Sequence, residues 1–313
     1  MIVMKRIIFM GTPVFATSVL SQLIQDKYQI VAVVCQPDKK IGRQQTIEFP
    51  PVKQFALEHN IPVVQPIRIR DEYELVLEYQ PDLIITCAYG QMLPEILLTA
   101  PKFGCINIHA SLLPRLRGGA PIHKAIIYGE EETGITIMKM AKKMDAGDMF
   151  VSKSTPILEH DTMGTLHDRL MNIAAEMIHE YIPMILDGTA TFTPQKEEDV
   201  TFAYNISKEE EKIDFTQDFN QVYNHIRGLI PSPVSYALVD SKKIKFWAVE
   251  KGEATTDDVE CGTITEFTER GIKCKAGNGY VYLQSVQLEG KKQMTAKEFM
   301  NGAGRSLLHK KFE

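Results

Sequence analysis

Apolar residues in the first part of the chain come in short unbroken runs, not in alternation with polar ones. Residues 5–10 (Lys-Arg-Ile-Ile-Phe-Met) end at Gly11-Thr12-Pro13, and residues 30–35 (Ile-Val-Ala-Val-Val-Cys) follow. Similar runs occupy 61–65, 82–88, 104–110 and 134–140. Runs this short, apolar on both faces, predict strands buried on both sides. Between them, the stretches at 14–26, 51–59, 71–79 and 120–129 predict helices. A long helix is predicted over 164–187, stopped by Gly188. Strand and helix in alternation give a Rossmann-like α/β fold with a mostly parallel sheet.

Near residue 190 the texture changes to Thr, Pro, Gln, Lys and Glu, which predicts a linker. One helix is expected at 218–228, then short strands at 234–239, 243–249, 261–267, 271–275 and 279–288, separated by Gly, Asp and Asn turns. That spacing predicts a small β-barrel, OB-like in kind. A chain of 313 residues is long for one core. The expected organisation is a catalytic domain over 1–189, a linker over 190–208 and a barrel over 209–313.

Composition changes this picture little: 44% hydrophobic and 24% charged residues describe an ordinary globular chain. Net charge is −5, and residues 204–313 hold 16 basic and 16 acidic side chains, so the first 203 carry the whole excess. A nucleic-acid partner would have to be met by a local basic patch. The five cysteines (Cys35, Cys87, Cys105, Cys261, Cys274) have no C-x-x-C spacing, which favours reduced thiols over disulfides or a zinc site. The apolar start is cut short by Gly11-Thr12-Pro13, and no run approaches the ~18 residues of a membrane span. A cytoplasmic protein is expected.

Candidate chemistry lies in Gly-Cys-Ile-Asn-Ile-His-Ala (104–110). Alternation along a strand puts Asn107 and His109 on one face. Polar side chains inside an apolar strand need partners; neighbouring loops would supply them in the plain reading, and a ligand would in the functional one. Both residues sit at the carboxyl end of the strand, where open parallel sheets bind ligands. In the turn that follows, Gly118-Gly119 allows close backbone approach to a ligand and Pro121 can open a helix. Arg115 and Arg117 are either solvated or hold an anion. Asp145 then stands on a Gly-containing loop after another buried run. An imidazole, an amide and a carboxylate on neighbouring strand ends would make an acid–base and oxyanion-stabilising site.

The Asn-x-His strand, Ser111-Leu-Leu-Pro-x-x-Arg-Gly-Gly-Ala-Pro121 and Asp145-x-Gly-Asp148 resemble the folate-dependent formyltransferases. The opening Phe9-Met10-Gly11-Thr12-Pro13-x-Phe15-Ala16 is similar to the branch that acts on methionyl-tRNA. So are Ala203-Tyr204-x-Ile206, Ile226-Arg227, Pro231-x-Pro233 and Gly290-Lys-Lys-Gln-Met294. The resemblance implies the formyltransferase fold, 10-formyltetrahydrofolate as formyl donor, methionyl-initiator tRNA as acceptor and no metal. It implies that His109 handles protons, Asn107 holds the formyl oxygen, Asp145 orients His109, and Ser111, Leu112, Leu113 and Pro114 line the folate site. Asn205 stands where that branch usually has lysine.

The glycine-rich dinucleotide fingerprint is absent after the first strand, which disfavours an oxidoreductase. Sister formyltransferases acting on glycinamide ribonucleotide or an amino-sugar nucleotide share the central motif and remain the alternative. The loop at 36–50 is longer than an ordinary strand-to-helix connection and leaves the same sheet edge as Asn107. Lys39, Lys40 and Arg43 are therefore expected to meet the acceptor end of a tRNA, where phosphate contacts fix position.

Overall fold

The structure, a computed structural model, describes residues 5–42 and 45–313. In β1 (Arg6–Gly11), Ile7, Ile8, Phe9 and Met10 are all fully buried, as expected for a central strand covered on both faces. It leads into α1 (Val14–Gln25), whose Phe15, Val19, Leu20 and Leu23 are buried. Then come β2 (Gln29–Val34), β3 (Lys39–Ile41), β4 (Thr46–Glu48), α2 (Pro51–Glu58), β5 (Val63–Val64) and α3 (Glu74–Leu77). They are followed by β6 (Leu83–Cys87), α4 (Glu95–Thr99), β7 (Cys105–His109), α5 (Pro121–Ile127), β8 (Glu132–Lys139), β9 (Met149–Pro156) and α6 (Met163–Leu186).

Seven strands form one sheet in the order β5-β2-β1-β6-β7-β8-β9. The pairs from β5 to β7 are parallel, and β8 runs antiparallel to β7. The carboxyl ends of β2, β6 and β7 consequently share one edge. Gly188 ends α6 in the left-handed region, at φ +82°. Four features differ from the sequence expectation. The helix predicted at 71–79 is helical only over Glu74–Leu77. The short α4 was not foreseen, and neither was β9, an edge strand with too many exposed polar positions to show as an apolar run. The 36–50 loop is partly a hairpin, with β3 antiparallel to β4.

Two compact units divide the chain. One comprises the chain up to Pro121, Thr133–Thr155 and His167–Tyr204; the other comprises Ile122–Glu132, Pro156–Leu166 and Asn205–Glu313. Residues 190–204, read from composition as linker, are thus built into the first unit. Met149 and Thr193 exchange two backbone hydrogen bonds of 2.8 Å, and the Ala203 N–H donates to the Arg117 carbonyl at 2.7 Å. Backbone groups make these bonds, so composition could not announce them.

The second unit holds α7 (Phe219–Gly228), β10 (Tyr236–Val239), β11 (Lys242–Ala254), β12 (Ile264–Thr268), β13 (Gly271–Ala276), β14 (Gly279–Leu288), β15 (Met294–Thr295) and α8 (Ala296–Asn301). Its strands run antiparallel in the order β10-β11-β14-β13-β12, with β15 on β14. Register shifts between Phe246 and Val249 bend β11. The last residues close the small barrel. Leu238 of β10 exchanges backbone hydrogen bonds with Glu313 (3.1 and 2.8 Å), while the Ile264 N–H of β12 donates to Lys310 (2.9 Å) and the Phe312 N–H to Gly262 (2.9 Å). Both sheet edges are covered by this one segment.

Inside, Phe312 stacks on Phe215 at 5.4 Å and meets Phe246 edge-on at 5.5 Å. Buried Arg227 donates to the carbonyls of Leu158 (3.0 Å) and Asp161 (2.7 Å), fastening the 156–166 excursion to α7. No helix among the described residues is long and apolar enough to cross a membrane. Phe312→Ala should remove the closing aromatic contact and destabilise the second unit by about 3–5 kcal/mol in denaturant unfolding. A change under about 1 kcal/mol would show that the segment does not close the barrel.

Candidate active site

Asn107 and His109 lie on β7 with their neighbours fixed by sheet register. Thr86 of β6 pairs with Asn107, and Thr136 of β8 pairs with His109. The Thr86 hydroxyl donates to Asn107 Oδ1 at 2.9 Å, and also lies 3.0 Å from the Ile106 carbonyl. Asn107 Nδ2 points at Asp145 Oδ1, 3.5 Å away. A carboxylate only accepts, so this contact fixes which end of the amide faces Asp145. The donor end of Asn107 is therefore turned toward the other two candidate groups.

His109 is buried, with Nδ1 3.7 Å from Asp145 Oδ1 and Nε2 3.0 Å from the Leu116 carbonyl. A carbonyl also only accepts, so Nε2 carries a proton in this contact. The other oxygen of Asp145, Oδ2, accepts the Gly118 N–H at 2.9 Å. Two residues that frame the imidazole hold left-handed backbone: Leu116 at φ +58° and Asp145 at φ +49°. Such conformations are costly for residues with a Cβ and need support from their surroundings. Here the support is specific: the Gln195 amide donates to the carbonyls of Asp145 (2.8 Å) and Gly147 (2.7 Å), and the Leu116 N–H donates to Thr201 Oγ1 at 2.9 Å.

The structure thus brings Asn107, His109 and Asp145 together. Of the four residues expected to line a folate site, Ser111 is fully buried and its hydroxyl donates to the Arg115 carbonyl at 2.7 Å. Leu113 is buried too, whereas Leu112 and Pro114 are half-buried and face outward in part. Lys39 and Lys40 are exposed on β3, and Arg43 lies outside the described residues.

Two sequence expectations change. Arg117 does not await an anion: it is buried, donating through Nε to Gln195 (3.0 Å) and pairing with Glu197 (3.2 Å). At Gly118 the close approach observed is to the chain itself. The glycine backbone sits at φ +128°, and a Cβ there would lie 2.5 Å from the Ala203 carbonyl oxygen. The close approach serves the chain's own 201–203 segment.

Sequence reasoning missed Thr86 and Gln195. Thr86 left a trace, as the one hydroxyl inside Leu-Ile-Ile-Thr-Cys. Gln195 left none, because nothing separates it from the other polar residues of its segment. Among the described residues no cluster of His, Cys, Asp and Glu has the arrangement of a metal site.

Residues 4–182 match the family described as formyl transferase, and residues 205–304 match the formyl transferase C-terminal domain. A methionyl-tRNA formyltransferase of a Geobacillus species is 50% identical over 307 residues, covering 97% of this chain and 96% of that protein. The methionyl-tRNA formyltransferase of Bacillus thuringiensis subsp. konkukian is 48% identical over 302 residues, 96% of each. Among solved structures, HypX from Aquifex aeolicus in complex with tetrahydrofolic acid superposes with a TM-score of 0.66 at 16% identity. That likeness covers 98% of this chain but 48% of HypX, and shows a shared fold.

Gly118→Ala should force the 201–203 segment away from the turn and release the Asp145 contact. We expect at least about 1–3 kcal/mol lower unfolding free energy. An unchanged thermal midpoint would show that the approach to Ala203 is not a constraint.

Proposed function

The chain belongs to the formyl transferase family, among the methionyl-tRNA formyltransferases, and from that membership we propose that it moves a formyl group from 10-formyltetrahydrofolate to the α-amino group of methionyl-initiator tRNA. The observation that carries this reading is the convergence of Asn107, His109 and Asp145 in a chain so similar to those relatives. Leu112 and Pro114, on the turn that follows β7, are half-buried and leave apolar surface in part uncovered, which suits the aromatic rings of a folate. The folate supplies the formyl group as a substrate.

The chain's own residues then have distinct tasks. When the amine attacks the formyl carbon, charge develops on the formyl oxygen, and Asn107 Nδ2 is the neutral donor aimed to hold it. His109 Nε2 is committed to Leu116. The nitrogen left for proton transfer is Nδ1, on the side of Asp145 and Asn107. In this reading it accepts the proton lost by the attacking amine, and the departing folate nitrogen regains one. Asp145 holds both groups in place and balances the imidazolium that forms.

The barrel of the second unit and the exposed Lys39 and Lys40, with Arg43, would hold the tRNA, the cations through phosphate contacts that weaken with salt. In this reading the reaction belongs to translation initiation in the cytoplasm.

The test is turnover with formyl-folate and charged initiator tRNA, compared with glycinamide ribonucleotide and an amino-sugar nucleotide. The tRNA should be much the best acceptor, with a KM that rises with salt. His109→Ala, Asn107→Ala and Asp145→Ala should each cost about a hundredfold or more in kcat. Faster turnover of a small amine would reassign the substrate, and a near-wild-type variant would remove that residue from the mechanism.

A further inference from the structure

Phe202 and Tyr204 are large aromatic side chains left 44% and 62% exposed. Their rings lie parallel, with 1° between planes and 5.4 Å between centroids. Two residues apart on an extended segment, they share a face, and Ala203 between them is fully buried. Ala203 donates to the Arg117 carbonyl at 2.7 Å and accepts from the Ala120 N–H at 3.0 Å, while the Arg117 N–H donates to Thr201 at 2.9 Å. The segment is therefore stitched as an added strand onto the turn that carries the reacting groups. Leu116 on that turn holds His109, and Gly118 holds Asp145.

A rigid pair of exposed rings anchored so close to the centre has the build of a stacking surface. The proposed acceptor supplies what would stack on it. Its reacting amine belongs to an amino acid esterified to the last ribose of a single strand. A nucleobase is thus tethered within one nucleotide of the amine and must come to rest beside the centre during transfer. Stacking on aromatic side chains suits the end of a single strand, because every base presents a π face. We propose that Phe202 and Tyr204 form the platform on which the terminal base of the aminoacyl-tRNA stacks, fixing the amine for attack. This rests on the function proposed above and assigns a role to the Ala203-Tyr204 motif that the chemistry of Asn107, His109 and Asp145 leaves unused.

The test uses the full-length protein and two methionyl-tRNAs, one intact and one whose last nucleotide keeps its ribose and ester but lacks its base. Phe202→Ala and Tyr204→Ala should lower kcat/KM for the intact substrate by about tenfold or more. Phe202→Trp should retain it, and on the abasic substrate wild type and variants should converge. Equal losses on both substrates would overturn the platform while leaving the formyl-transfer reading intact. A raised KM for formyl-folate with an unchanged KM for tRNA would also overturn it, assigning the rings to the pterin. A wild-type protein that formylates neither substrate would remove the function on which the inference stands, and the inference with it.

Discussion

The Asp145 carboxylate is the constraint on which the candidate site depends. One oxygen faces the Asn107 amide at 3.5 Å and the His109 ring at 3.7 Å; the other accepts the Gly118 N–H at 2.9 Å. A largely buried carboxylate is costly unless donors meet it, and the Asn107 amide and the Gly118 N–H are donors to this one. The Asn107 contact decides the orientation of the amide, while the Leu116 carbonyl takes His109 Nε2 and leaves Nδ1 facing Asp145. Asp145 holds its place at φ +49° because Gln195 takes its carbonyl. Gln195 in turn is held by Arg117, so the turn after β7 and the segment after α6 lock each other.

The sequence made the central strands legible because burial on both faces leaves unbroken apolar runs, as in β1 and β6. Asn107 and His109 were visible for the complementary reason: polar residues inside such a run stand out. Asp145 was placed by the motif around it and not by periodicity. The framework behind these groups was hidden. Arg117 read as an anion-binding candidate, yet its charge meets Gln195 and Glu197, some 80 residues away in the chain. Gly118 signalled close approach correctly, but the partner was backbone, and backbone partners leave no compositional mark.

In the second unit the strand pattern was readable from the turn residues, and the closure was not. Residues 309–313 form no labelled strand, yet their hydrogen bonds cover both open edges. Phe312 shows the packing half of that closure, since it completes an aromatic cluster with Phe215 and Phe246. Arg227 carried a motif whose function could not be read from sequence. In the structure it is structural, with its guanidinium capping the carbonyls of Leu158 and Asp161.

If Asp145 acts by holding His109 and Asn107, the three residues form one device and their losses cannot add. The most direct measurement is a double-mutant cycle on kcat with Asp145→Asn, His109→Ala and the pair combined, each checked for an unchanged fold. The account predicts that the double variant is about as slow as the slower single variant, within roughly a few-fold. Losses that multiply, with the double variant slower by the product of the two single effects, would contradict it and make Asp145 and His109 independent contributors.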